Sequence, residues 1–146
     1  MAVELVTEYN DEFVPMMQEL IPQLSSSSVP FNEQQIKDFL AQPGMFLFIF
    51  RSDNEADNGR IVGMLSLATF VIPTGMRAWI EDVVVDSAAR GQGAGQKLTE
   101  AAIQHAQKIG AKSVDLTSRP TREAANRLYK RCGFEVRETN VYRYKA

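Results

Sequence analysis

The sequence predicts an α/β (α+β) fold, a mixed and mostly antiparallel central sheet flanked by helices in the order β-α-α-β-β-β-α-β-α-β. Three observations lead there. Residues 45–85 contain three β-rich runs joined by short turns, which read as an antiparallel meander. Apolar residues at helical spacing precede the meander over 10–41 and return after it over 95–132. Where the meander ends, the chain turns on glycines directly into a helix, the rhythm of an α/β unit.

Taken in order, Val3–Thr7 reads as a short strand. Phe13, Met16, Met17, Leu20, Ile21 and Leu24 give Asn10–Leu24 a helical stripe, with Asn10 or Asp11 as the N-cap and Pro22 expected to end or bend it. Ser25–Ser28 is a polar loop. A second helix is expected over Asn32–Ala41, on Ile36, Phe39 and Leu40, and Pro43-Gly44 stops it. Met45–Arg51, Arg60–Ile72 and Arg77–Val85 are the meander strands, turned at Asp53–Gly59 and Pro73–Gly75. The glycine turn Arg90–Gly95 then opens a helix near Gly95–Ile109, closed by Gly110. Lys112–Thr117 is a strand, Thr121–Cys132 a helix stopped by Gly133, and Phe134–Tyr144 a final strand.

With 146 residues, 45% of them hydrophobic, the chain suits one domain over 1–146 with a core that needs no staple. Its lone cysteine, Cys132, permits no intrachain disulfide, and with one histidine there is no metal-ligand cluster, so no metal is expected. The opening Met1–Phe13 lacks a basic-then-apolar signal, and the longest apolar run, Met45–Phe50, falls far short of the ~20 residues that span a bilayer. A cytoplasmic protein with no membrane partner is the expectation. The net charge of −2, with interspersed signs, leaves no footprint for nucleic acid.

The most informative stretch runs from Val83 to Leu98. Glycines at 91, 93 and 95 stand where a strand gives way to a helix. Backbone N–H groups are thereby exposed at a helix N-terminus with few Cβ atoms in the way, which suits phosphate oxygens. A Rossmann turn would need its third glycine at Gln96, and a P-loop needs glycine before its lysine, where Gln96 precedes Lys97. Both patterns fail.

Arg90-Gly91-Gln92-Gly93-Ala94-Gly95 resembles the R/Q-x-x-G-x-G/A signature of the GCN5-related N-acetyltransferase (GNAT) superfamily. Ala124 to Phe134, with Leu128-Tyr129 and Gly133-Phe134, is similar to that family's A-x-x-L-Y-x-x-x-G-F segment, and one helix and one strand separate the two, as in the family. The resemblance implies an acetyl-CoA-dependent N-acetyltransferase, transferring acetyl to a primary amine by direct attack in a ternary complex. The amides of Arg90, Gly91, Gln92, Gly93, Ala94, Gly95 and Gln96 would bind the coenzyme diphosphate. Val83, Val84 and Val85 would hydrogen-bond the pantetheine arm through their main chain, at the bulge where the fourth strand leaves the fifth. The asparagine expected seven residues before the tyrosine is Arg122 here; Asn126, one helical turn later on the same face, would inherit its contact with the arm, and Arg122 would instead meet a phosphate or cap exposed surface.

Amide formation from a thioester needs a neutral amine, a stabilised oxyanion and a proton for the leaving sulfur. Tyr129 occupies the family position beside that sulfur and is the expected acid. Glu81 matches the place of a catalytic or water-positioning glutamate in some members; strand alternation puts Asp82 on the opposite face, and Asp82 or an ordered water is the alternative base. His105 flanks an apolar helix face and is expected to have a packing or surface role rather than a catalytic one. Cys132 reads as a small filler, and Arg137, Arg143 and Lys145 as a solvated strand.

By resemblance the acceptor site lies between Leu24–Phe31, Phe70–Arg77 and Thr139–Tyr144, offering Phe31, Trp79, Tyr142 and Tyr144 without a charge code. A small-molecule amine or a peptide N-terminus fits equally. The resemblance also allows a homodimer, which the residues do not decide. A non-catalytic acyl-CoA-binding or sensory module would share the glycine turn, though it has no need of Tyr129.

Overall fold

A computed structural model describes residues 3–146; Met1 and Ala2 of the opening stretch lie outside the described residues. Strands β1 (Val3–Leu5), β2 (Met45–Arg51), β3 (Ile61–Ile72), β4 (Gly75–Val85) and β5 (Val114–Asp115) form one sheet in that order. The first four are antiparallel neighbours, and β5 joins β4 in parallel. Helices α1 (Phe13–Leu24) and α2 (Glu33–Ala41) cover one face, and α3 (Ala94–Lys108) covers the other. Helix α4 (Glu123–Arg131) follows β5 and packs on α3.

The continuous apolar run of β2 reflects burial on both faces. Leu47 and Ile49 join Met16, Met17 and Leu20 of α1 and Ile36 of α2. Phe48 and Phe50 join Leu65, Leu67 and Ile80, beneath Leu98, Ala102 and Ala106 of α3. The alanine row lets the α3 backbone lie close to the sheet. Among the described residues, no helix is long and apolar enough to cross a membrane.

Helices α3 and α4 stop where glycine predicts, and both stops are Schellman motifs. Gly110 (φ +104°) lets Ala111 N–H reach the Ala106 carbonyl at 2.9 Å. Gly133 (φ +99°) does the same for Phe134 N–H and the Tyr129 carbonyl at 3.0 Å. Asn32 caps α2 in a capping box with Gln35.

Three expectations need correction. The α1 N-cap is Glu12, not Asn10 or Asp11; the Asn10 side chain instead accepts Glu12 N–H at 2.8 Å in a turn just ahead of the helix. Pro22 lies inside α1, which runs on two residues to Leu24 before it stops; the proline costs the last turn one i→i−4 hydrogen bond rather than ending the helix at once. Residues 134–146 form no strand. A strand needs a partner ladder and a face to bury, and the neighbouring β5 has only 2 residues. The side chains of Val136, Val141, Tyr142 and Tyr144 are left 75–93% exposed.

Candidate functional site

The site begins with a fault in β4. Met64 pairs with Val84, but Ser66 pairs with Glu81, so β4 has one residue too many at Asp82-Val83. That is a β-bulge. Asp82 absorbs it in the left-handed region (φ +49°), a conformation that aspartate tolerates better than most residues. The bulge changes which way the strand faces. Ala78 and Ile80 point into the α3-side core, Val83 and Val85 still pack there, and Val84 enters the α1/α2-side core. Simple alternation therefore fails at this point, and both Glu81 and Asp82 are exposed.

Next to the bulge the sheet opens. The parallel pairing of β4 with β5 covers only Ala78↔Val114 and Trp79↔Asp115. From Ile80 to Val85, β4 has its β3 neighbour but no β5 partner, leaving a length of strand edge free beside α3 and α4. Val83, Val84 and Val85 lie on this length.

The chain then enters α3 through the glycine turn. Asp86 is buried and holds the turn's first half: its carboxylate accepts Ala88 N–H at 3.0 Å and pairs with Arg60 at 3.0 Å. Those two partners, the amide first, hold its pKa below the usual carboxylate value. Ser87 N–H is taken by Gln23 of α1 at 2.9 Å. Gly91 (φ +96°) and Gly93 (φ +72°) lie in the left-handed region, and a Cβ on either would meet nothing within 4 Å. No N–H from Arg90 to Gln96 donates to another group among the described residues; the first to do so is Lys97, to the Gly93 carbonyl at 3.0 Å. Helix α2, by contrast, has its N-terminus closed by Asn32. An array of free N–H groups at the start of a helix, open to solvent, is an anion cradle. Arg90 is exposed beside it and Gln96 half-buried. The Gln92 side chain turns away, toward the β2–β3 turn: its Oε1 accepts Asp53 N–H at 3.0 Å and its Nε2 donates to Ser52 Oγ at 3.3 Å.

Gly95 brings α4 in. A Cβ there would stand 2.9 Å from Leu128 Cδ1 and 4.0 Å from Val85 Cγ2, so only glycine lets α3, α4 and the end of β4 meet without displacing a neighbour. Tyr129 follows Leu128 and is buried. Its ring meets Phe134 edge-to-face with centroids 5.9 Å apart, and burial pushes its pKa above 10.0, so the phenol keeps its proton at neutral pH. Asn126 is committed elsewhere: its Nδ2 donates to the carbonyls of Arg119 at 2.9 Å and Arg122 at 2.8 Å, and only its Oδ1 is free.

A cavity of about 840 Å³ runs along the open side of β5, walled by Trp79, Val114, Leu116, Tyr129, Cys132 and Phe134. The glycine turn does not line it. The cavity follows from the unpaired residues 134–146, and Tyr129 is the one proposed reactive group in its wall. Burial raises the pKa of Cys132, which keeps it a thiol. His105 is packed against Phe46 and Phe48, at 4.4 and 5.9 Å between ring centroids, with its Nε2 buried and unbonded. The described residues hold no group of three or more His, Cys, Asp or Glu that could take a metal ion. The supports Ser52, Asp53, Arg60 and Gln23 escaped sequence reading, because nothing local links them to the glycine turn.

Comparison with known proteins agrees with this architecture. The chain is similar to N-alpha-acetyltransferase 30 of Schizosaccharomyces pombe, with 28% identity over 140 residues, 95% of this chain and 88% of that protein. It is also similar to glucosamine 6-phosphate N-acetyltransferase 1 of Oryza sativa subsp. japonica, with 29% identity over 131 residues, 86% of this chain and 76% of that one. A solved acetyltransferase from Trypanosoma brucei superposes with a TM-score of 0.77 at 26% identity, covering 98% of this chain and 99% of its own. The model of the acetyltransferase (GNAT) family matches residues 5–134, and with the bulged fourth strand and the glycine turn in place, this chain belongs to that family.

Proposed function

We propose that this protein transfers the acetyl group of acetyl-CoA to a primary amine, by direct attack in a ternary complex. The observation that carries the reading is the run of free N–H groups from Arg90 to Gln96 at the head of α3. Each such contact contributes on the order of 0.3–1 kcal/mol through the helix-end field, so several must converge on one anion. The diphosphate of coenzyme A is a compact multiple anion, and the open glycines give it room. The N–H groups of Arg90, Gly91, Gln92, Gly93, Ala94, Gly95 and Gln96 hold it, with Arg90 as the nearby cation.

The free edge of β4 takes the thioester arm as an added strand, using the main chain of Val83, Val84 and Val85. One of these amides is aimed at the thioester oxygen, where negative charge develops. Asn126 has little left for the arm except its Oδ1. Tyr129, buried and protonated, donates to the departing sulfur. A thiol near ~8.5 leaves easily, so this donor has a modest task. The amine is the harder partner: holding an alkylamine of pKa ~10.4 neutral at pH 7 costs roughly 4–5 kcal/mol. Glu81, exposed next to the bulge, or Asp82, removes that proton directly or through water.

An amine acceptor is supported by the names of both relatives, one an N-alpha-acetyltransferase and the other a glucosamine 6-phosphate N-acetyltransferase. The test is mass spectrometry of a panel of amino sugars, amino acids, polyamines and peptides, incubated with the protein and acetyl-CoA. A product heavier by one acetyl group, absent from a Tyr129→Phe control, is expected. Acetyl-CoA binding without any acetylated product across the panel would contradict the transferase reading.

A further inference from the structure

We infer that the β2–β3 turn is a positioning element for the phosphate loop and acts on it through the side chain of Gln92; this rests on the loop reading given above. Ala89 and Ala94, both 3% exposed, anchor the loop at its two ends in the α3-side core. Between them run Arg90, Gly91, Gln92 and Gly93, two of them glycines in the left-handed region. None of these four donates a backbone hydrogen bond. That freedom is what makes the N–H groups available, and it also leaves the loop without internal support.

The support comes from 40 positions earlier in the chain. Ser52 is buried, and its single O–H goes to Asp57 Oδ2 at 2.5 Å. Its oxygen can then only accept, from Asn54 N–H at 3.1 Å and from Gln92 Nε2 at 3.3 Å. Gln92 Oε1 also lies 3.5 Å from Ser52 Oγ, but with the hydroxyl proton on Asp57 the amide hydrogen bond to Ser52 is the one that Nε2 donates. The other end, Oε1, is closed by Asp53 N–H at 3.0 Å. Gln92 thus ties the middle of the loop at a defined distance from a turn that is itself held by Ser52-Asp57 and by Asn58 in the left-handed region. The side chain is turned from the anion while its own N–H and its neighbours' stay free. A loop ordered in advance does not lose conformational freedom on binding, so the tether tightens diphosphate binding without touching the ligand.

The test is a double-mutant cycle read by titration calorimetry, with acetyl-CoA and with acetyl-pantetheine, which carries the thioester arm but no diphosphate. Gln92→Ala and Ser52→Ala are each expected to weaken acetyl-CoA binding about tenfold, and the double variant no more than either alone. Acetyl-pantetheine binding should be unchanged in all three, and Ser52→Thr, which keeps the hydroxyl, should bind acetyl-CoA like wild type. Additive losses, a wild-type Ser52→Ala, or equal weakening of acetyl-pantetheine would overturn the tether while leaving the loop reading intact. Wild-type protein that binds acetyl-CoA no better than acetyl-pantetheine would remove the loop reading itself, and the tether with it.

Discussion

Phe134 donates its N–H to the carbonyl of Tyr129 at 3.0 Å while its ring meets the tyrosine ring edge-to-face at 5.9 Å. The glycine that ends α4 therefore also fixes the aromatic ring on which the proposed proton donor leans. A local chain-stop and a catalytic orientation come from the same turn. Replacing the donor and replacing its support should consequently have graded effects. Tyr129→Phe should lower kcat by about 10–100-fold with acetyl-CoA affinity within about twofold of wild type, at the low end of general-acid effects because thiols leave readily. Phe134→Leu keeps an apolar contact but loses the edge-to-face pair, worth about 0.5–1.5 kcal/mol, and kcat should fall to between the two. Steady-state kinetics at saturating acetyl-CoA checks both.

Gly95 links the turn to the same helix. Gly95→Val places branched carbons where one Cβ already comes within 2.9 Å of Leu128 Cδ1 and 4.0 Å of Val85 Cγ2. We expect a loss of about 1–3 kcal/mol of stability by chemical denaturation, the usual cost of overpacking. Acetyl-CoA affinity should fall as well, since the displaced parts are the end of β4 and the head of α3. Gly95→Ala is a milder case: helix propensity favours alanine by about 1 kcal/mol, which offsets a shift of the flexible Leu128 tip.

The half-buried histidine gives stability a pH limb. Burial first, and Lys108 second, hold the His105 pKa below 6.5 in the folded state. The unfolded chain takes up the proton near ~6.5 and the folded one resists it, so stability is complete above that pH and declines as pH falls through the gap between the two values. Asp86, with its pKa lowered, adds a second decline, beginning only below the unfolded value of ~3.9. Melting temperatures scanned from pH 8 to 4 should show the first limb in wild type and not in His105→Leu.

Asp86 and Arg60 hold the strand that leads into the turn. Arg60 also reaches Glu19 of α1 at 3.1 Å, so it ties β3, α1 and the end of β4 together. Arg60→Ala leaves a buried carboxylate without its cation, with the Ala88 amide and the Gln23 side chain as remaining partners. The arginine is itself partly exposed, so the cost should be about 1–2 kcal/mol, below that of a fully buried pair. Urea denaturation measures it.

What could be read in advance followed how far each interaction reaches along the chain. The helix stops at Gly110 and Gly133 and the glycine turn depend on neighbours within a few residues and are legible in the sequence, whereas Asn32, read there as the first residue of its helix, is its cap. The bulge follows from the family resemblance but not from the residues of β4 themselves, because it arises from pairing with Met64 and Ser66 on another strand, and alternation along β4 alone does not place the extra residue at Asp82. The Gln92 tether spans 40 positions and leaves no periodic trace. The final strand was expected from β-rich composition over 134–144, but composition supplies no partner ladder. Asn126 was assigned by its helical turn, and the structure turns its amide nitrogen to the carbonyls of Arg119 and Arg122.

The most direct test of the central claim is calorimetric titration of acetyl-CoA into wild type, Gly93→Ala and Gly93→Glu. Both variants strain the same left-handed position (φ +72°), and only the glutamate adds bulk and negative charge at the free N–H groups. If the head of α3 holds the diphosphate, Gly93→Ala should bind within about tenfold of wild type and Gly93→Glu should lose on the order of 100-fold or more. A folded Gly93→Glu protein that binds acetyl-CoA as tightly as Gly93→Ala would contradict the assignment.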